Sequence, residues 1–141
     1  MPAVKRQTQP RIVVELHCGF GPHRYKGERI IPRDAYRQIG TFELGSLGSE
    51  VHVGRAANQQ NALTTDGDGL VSRMHLIVKR VGEDRVSVDN LGTHGTYHEG
   101  VKLPKGPRMY GFGNGDLHFF FGEKHKLVLK LITEPGPEGK K

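Results

Sequence analysis

The sequence predicts an all-β fold in a single domain, on three observations. Glycine and proline together make 20 + 8 = 28 of the 141 residues, about a fifth, against a usual share of roughly 12%. That density breaks long helices and suits short strands joined by turns. Apolar residues recur in short runs with every second position polar, which is the period of a half-buried strand. Seven or more such runs follow one another at a spacing of about 8–12 residues, as in an antiparallel sandwich or barrel. A chain of 141 residues fits one domain and leaves little room for a second.

Residues 1–10 and 134–141 read as tails; the second, Glu-Pro-Gly-Pro-Glu-Gly-Lys-Lys, has no apolar residue to anchor it. The domain is expected over 11–133. Residues 11–18 form the first strand, with Ile12, Val14, Leu16 and Cys18 on one face and Val13, Glu15 and His17 on the other. Residues 19–40 hold Pro22, Pro32 and scattered cations, and read as an irregular insertion, with one helical turn expected at 34–39. Residues 41–44 and 50–53 are strands flanking a Gly-Ser-Leu-Gly-Ser turn. Residues 74–80 place Met74, Leu76 and Val78 on one face, and after the turn at Gly82-Glu83-Asp84, Val86 and Val88 do the same in 85–89. Leu117, Phe119 and Phe121 define a strand over 116–121, and Leu127, Leu129 and Leu131 define one over 126–132. Alternation leaves Phe120 on the opposite face, either under a loop or in an exposed patch.

Composition removes several function classes. No apolar stretch approaches the roughly 20 residues that span a bilayer, so no membrane partner is expected. The start, Met-Pro-Ala-Val-Lys-Arg, is too polar for a secretory signal. A single cysteine, Cys18, excludes an internal disulfide framework and suits a reducing, intracellular compartment. The charge balance, 21 − 15 = +6, favours an anionic partner.

Three polar, glycine-marked blocks fall at strand ends: Gly54-Arg55, Ser72-Arg73-Met74-His75, and Asn90-Leu91-Gly92-Thr93-His94-Gly95-Thr96. Loops at one end of a sandwich are held by the sheets and can converge on a ligand. These blocks offer a guanidinium, the hydroxyls of Ser72 and Thr93, and backbone N–H groups. All are donors, and a phosphate is the natural complement: the planar fork of arginine matches two of its oxygens, and hydroxyls satisfy others.

The order Gly-Arg … Ser-Arg-x-His … Leu-Gly-Thr-x-Gly-Thr, with Gly115-Asp116 before a strand ending in Phe121-Gly122, resembles the forkhead-associated (FHA) domain family. The resemblance covers residues 41 to about 132, with 11–18 as a first strand. It implies a β-sandwich of about eleven strands that binds phosphothreonine-containing segments of partner proteins, without catalysis or cofactor. Nuclear or cytoplasmic location is expected, with the resemblance favouring the nucleus.

Carried over residue by residue, the resemblance implies that Arg55 pairs with the phosphate and that the Ser72 hydroxyl contacts it. Thr93 supplies another phosphate or main-chain contact. Arg73 and His75 support the loop through hydrogen bonds; Gly54, Gly95 and Thr96 shape the turns. One position departs: the family usually has asparagine where this chain has His94, whose imidazole offers only one donor and one acceptor when neutral. His94 is either a ligand contact or an exposed loop residue. Residues 56–71 are expected to read the residues flanking the phosphothreonine. The preference for threonine over serine implies an apolar slot for its methyl group, worth about 0.8 kcal/mol.

Other readings are weaker. Ser72, His75 and Asp89 hold the letters of a catalytic triad without a nucleophile elbow, and Gly111-Phe112-Gly113-Asn114-Gly115 lacks the dinucleotide spacing, so no enzyme is expected. Asp66-Gly67-Asp68-Gly69 starts like a calcium loop but lacks its later ligands, and His94 and His98 lack a helix to make them converge, so no metal site is expected. The rival readings are a basic nucleic-acid-binding domain, suggested by the cations of 23–37, and a phosphate-independent scaffold on the same fold. The first is disfavoured because the cations are spread along the chain with no aromatic stacking pattern. The sequence leaves the oligomeric state open.

Overall fold

The computed structural model describes residues 10–20, 23–26, 29–31, 35–55, 61–65, 68–113 and 115–133. The expected tails, except Pro10, lie outside the described residues, as does Asp34. No helix occurs among the described residues, so none is long and apolar enough to cross a membrane. Thirteen strands are present among the described residues. The first six are β1 (Arg11–Gly19), β2 (Arg24–Lys26), β3 (Arg29–Ile31), β4 (Tyr36–Leu44), β5 (Glu50–Gly54) and β6 (Ala62–Thr64). The next four are β7 (Leu76–Gly82), β8 (Arg85–Asn90), β9 (Thr96–His98) and β10 (Val101–Lys102). The last three are β11 (Gly106–Gly111), β12 (Leu117–Phe121) and β13 (His125–Ile132).

They form two sheets, one of eight strands in the order β2-β3-β10-β9-β12-β13-β1-β4 and one of five in the order β11-β8-β7-β5-β6. Pairing is antiparallel except between β5 and β6, which run parallel. The alternation in the sequence maps onto the core. Ile12, Val14 and Leu16 of β1, Phe119 and Phe121 of β12, and Leu127 and Leu129 of β13 are buried from the larger sheet. Val51, Val53, Leu76, Val78, Val86 and Val88 meet them from the smaller one.

Residues 19–40 are more regular than the sequence suggests. They contain β2, β3 and the first half of β4, and β4 replaces the helical turn expected at 34–39. Here β1 extends past Leu16 through a register shift, and its residues His17–Gly19 pair with Tyr36–Gln38. Tyr36 and Ile39 are strand-favouring types but are not placed in an alternating apolar pattern, so the ladder on β1 decides it. The segment also covers Phe120. His23 meets that ring edge-on at 5.6 Å, Tyr36 lies 6.2 Å away, and the Lys126 ammonium sits 4.3 Å from the Tyr36 ring centre. Phe120 therefore lies under the insertion, half-buried.

The inner face of β7 is also shifted from expectation. The strand begins at Leu76, so Met74 precedes it and the face is completed by Arg80, which is 3% exposed. Its guanidinium donates to five backbone carbonyls: Gly82 through Nε, Leu44 and Gly45 through one terminal nitrogen, Pro10 and Glu83 through the other. All five donors of the fork are thus used, as a buried cation requires. They tie the start of β1 and the β4–β5 and β7–β8 turns together at one end of the sandwich. The opposite end is left to the three sequence blocks.

Candidate functional site

At that opposite end, the segments following β5, preceding β7 and following β8 are joined directly. The backbone N–H of Arg55 donates to the Ser72 carbonyl at 2.9 Å, and the Arg55 side chain donates through Nε to the Val71 carbonyl at 2.9 Å. The Thr93 N–H donates to Ser72 Oγ, also at 2.9 Å. Arg55, Ser72 and Thr93, some forty residues apart in sequence at the extremes, are thereby brought to one place. Arg55 is exposed, and its Nε bond aims the guanidinium while leaving the two terminal nitrogens unused among the described residues. Ser72 Oγ accepts from Thr93, so its own hydrogen stays available to an incoming acceptor.

His75 sits beneath this surface, 0% exposed. The Ser72 N–H donates to its Nδ1 at 3.0 Å, and its Nε2 lies 3.0 Å from the Gly95 carbonyl. Because Nδ1 accepts, Nε2 must carry the hydrogen and donate, which fixes the neutral tautomer. Burial pushes the His75 pKa down to about 4, against the weaker opposing pull of the Gly95 carbonyl. The imidazole is therefore a neutral brace between the two loops at physiological pH. Both ring nitrogens are engaged and neither touches Ser72 Oγ, so the Ser72/His75/Asp89 triad reading has no base for its nucleophile.

Two glycines are required by close approach. A Cβ on Gly92 would stand 2.2 Å from the His75 ring, and one on Gly54 would stand 2.1 Å from the Arg73 carbonyl. The main chain of Arg73 thus packs on Gly54, whereas its side chain is exposed and makes no hydrogen bond among the described residues. The hydrogen-bonded loop support expected of Arg73 is not seen among the described residues, where its main chain only approaches Gly54 closely. Thr96 is 0% exposed and donates through Oγ1 to Asn90 Oδ1 at 2.8 Å. Gly95 contributes its carbonyl to His75. His94 is exposed at the tip of the loop.

Two functional supports escape the sequence reading. Asn90, buried at the end of β8, accepts from Thr96 Oγ1 and the Gly92 N–H, and donates through Nδ2 to the Leu103 and Pro104 carbonyls. It fixes the loop that carries Thr93. Asp68, 1% exposed, accepts from the N–H groups of Leu70, Glu123 and Lys124 and from His125 Nδ1, the last at 2.7 Å. Burial alone would raise the Asp68 pKa, but the His125 bond and the three backbone bonds outweigh it and hold it at about 2. Asp68 thus staples the segment before β7 to the β12–β13 turn. The aspartate-glycine repeat around it was the available signal, and it points to a structural carboxylate in place of a calcium ligand. Its other aspartate, Asp66, and residues 56–60 of the expected flank-reading loop lie outside the described residues. No group of three or more histidine, cysteine or acidic side chains that could hold a metal occurs among the described residues.

Among the described residues, the arrangement is a set of hydrogen-bond donors, and the His75 ring is not in contact with the Ser72 hydroxyl. An exposed fork, a hydroxyl hydrogen and the Thr93 hydroxyl stand on a braced pair of loops, a set suited to holding an oxyanion rather than to breaking a bond.

Comparison with known proteins agrees with the resemblance read from the sequence. Residues 51–117, which hold all three blocks, match the sequence model of the FHA domain. No curated protein sequence matches the chain. Among solved structures, the FHA domain of a hypothetical protein of Arabidopsis thaliana shares 16% identity, with 95% of this chain and 98% of that chain covered and a TM-score of 0.61. An FHA domain from Chlamydia trachomatis shares 16% identity over 89% of this chain and 99% of that one, with a TM-score of 0.51. The S. pombe Nbs1–Ctp1 complex matches at 12% identity over 84% of this chain and 35% of that one, with a TM-score of 0.53. The fold is that of an FHA domain, a β-sandwich of two sheets.

Proposed function

We propose that this chain is a non-catalytic binding module that reads a phosphothreonine in an extended segment of a partner protein. The reading is carried by one observation: the exposed Arg55 guanidinium is anchored, through its Nε and its backbone N–H, to the two residues Val71 and Ser72, the second of which presents a hydroxyl. A phosphorylated threonine brings about −1.5 to −2 charges near neutral pH and three strong acceptor oxygens. The terminal nitrogens of Arg55 take two of them as a charge-assisted fork, and the Ser72 hydroxyl takes a third. Thr93 supplies a further hydroxyl, and His94 at the loop tip contacts the main chain of the bound segment. The FHA resemblance supports threonine as the modified residue.

The fork has little to do before the ligand arrives, because Asp68, His75 and Asn90 already hold the loops in place. Affinity gains when the ordering of the site is done in folding rather than in binding. The test is titration of a degenerate phosphothreonine peptide library against the wild-type protein and Arg55→Ala. The wild type binds, phosphatase treatment of the peptides abolishes binding, and the variant stays folded but does not bind. A shallow salt dependence accompanies this, since one phosphate is neutralised; a nucleic-acid binder shows a steep one and ignores the peptides.

A further inference from the structure

The loop that carries Thr93 has two sides. One faces Ser72, whose Oγ receives the Thr93 N–H. The other opens on a cavity of about 430 Å³ whose lining includes Thr93, Gly95, Asn90, Pro104, Lys102 and Lys105. None of the described residues lining this cavity is acidic, and two are lysines. Asn90 offers it nothing, because its Oδ1 and Nδ2 are already bonded within the loop and to the Leu103 and Pro104 carbonyls. The side-chain donors left on the wall are the two ammonium groups and the Thr93 hydroxyl.

Both lysines are exposed, and each has one contact that places its side chain along the wall. The stem of Lys102 lies against Gly95, its Cε 2.8 Å from where a Cβ on that glycine would stand. Lys105 reaches the Leu91 carbonyl through Nζ at 3.5 Å, a long bond that positions the ammonium at the rim without saturating its three donors. Their backbones are fixed by β10, which pairs with β9, and by the turn into β11. No carboxylate among the described residues is hydrogen-bonded to either.

We propose that this cavity is a second anionic subsite, which takes an acidic group carried by the same segment that presents the phosphothreonine. The inference rests on the proposed function and deepens it. Thr93 and Gly95 are shared between the loop of the phosphate site and the cavity wall, so a chain bound at Arg55 and Ser72 passes within reach of Lys102 and Lys105. The chemistry is that of an anion in a recess with two cations and no competing acid. A glutamate or aspartate side chain supplies it, and so does a second phosphorylated residue, which brings more charge and more acceptors. Selection follows from the empty case as well, since a neutral side chain leaves the two lysines of this wall without a counter-ion from the ligand.

The experiment is a scan with short phosphothreonine peptides, alanine elsewhere, in which glutamate and then phosphoserine are placed at each flanking position in turn. Affinities are measured by fluorescence anisotropy for the wild type, for Lys102→Met/Lys105→Met, and for Arg55→Ala. Methionine keeps the stem that packs on Gly95, and thermal melts confirm that the double variant is folded. Glutamate at one position strengthens binding to the wild type by about five- to tenfold, and phosphoserine there does so more strongly. The double variant loses that gain yet binds the alanine peptide as the wild type does. Position-independent gain reflects general steering by a basic surface and overturns the subsite. A flat scan, or a gain that survives in the double variant, overturns it too, and in these cases dependence on phosphothreonine and Arg55 remains. If no phosphothreonine peptide binds the wild type, the proposed function and this subsite fall together.

Discussion

Ser72 Oγ accepts the backbone N–H of Thr93 at 2.9 Å, across a sequence gap of 21 residues. This bond joins the segment before β7 to the loop after β8, and it fixes which way the hydroxyl hydrogen can point. One side chain therefore serves the fold as an acceptor and, under the proposed function, serves the ligand as a donor. Ser72→Ala removes both roles. The lost bond costs about 1 kcal/mol of stability. Phosphopeptide affinity falls more, by about tenfold or above, because the loop position and a phosphate contact are lost together. Calorimetric titration alongside a denaturant melt separates the two effects; an affinity unchanged in Ser72→Ala removes the hydroxyl from the site.

His75 makes stability depend on pH in a defined window. Its pKa is about 4 in the folded protein against an ordinary value of 6.5, so the unfolded chain binds the extra proton first. Its stabilising contribution is fully present above pH 6.5 and is lost as pH falls towards 4, by about 3 kcal/mol in all. Protonation also ends the acceptance of the Ser72 N–H by Nδ1, so ligand binding declines with it. Urea melts across this range show a fall in the wild type that is reduced in His75→Gln. Equal pH slopes in the two proteins contradict the assignment.

Asp68 acts in the window below. Its folded pKa of about 2 lies under the ordinary 3.8, so its contribution is present above pH 3.8 and is lost as pH falls towards 2. Asp68→Ala leaves three N–H groups and His125 without their acceptor and destabilises the protein by about 3–5 kcal/mol. Amide exchange in Asp68→Ala rises first at Leu70, Glu123 and Lys124, the three residues whose N–H groups it binds. Uniform loss of protection would place the residue in the core rather than at this joint.

What the sequence discloses and what it hides follow from the range of each interaction. Alternation is local, so Ile12/Val14/Leu16, Val86/Val88, Phe119/Phe121 and Leu127/Leu129 could be placed on the core face from their own neighbours. The three blocks were legible because they are polar and stand at strand ends, with glycines marking 54–55 and 90–96 and the Ser-Arg-x-His order marking 72–75. The strands in 19–40 were not: β2 and β3 have three residues each, and the start of β4 is a strand only because β1 continues past Leu16. Asp68 and Asn90 resemble ordinary loop polars, and their roles depend on partners such as His125, 57 residues away, and Pro104, 14 residues away. Arg80 ends the strand expected over 74–80, and nothing near it in sequence reveals that the carbonyls of separate turns and strand ends surround it.

Arg55 carries the central claim, and the most direct measurement is phosphopeptide affinity of Arg55→Ala and Arg55→Lys against the wild type, with thermal melts as control. Removing the guanidinium costs no more than about 1 kcal/mol of stability, for the lost Nε bond to the Val71 carbonyl, since the residue is exposed and its backbone bond to Ser72 survives. Binding of phosphothreonine peptides is lost in Arg55→Ala and recovers only in part in Arg55→Lys, because a point charge cannot reproduce the two-pronged fork. A folded Arg55→Ala protein that binds a phosphothreonine peptide as tightly as the wild type contradicts the account.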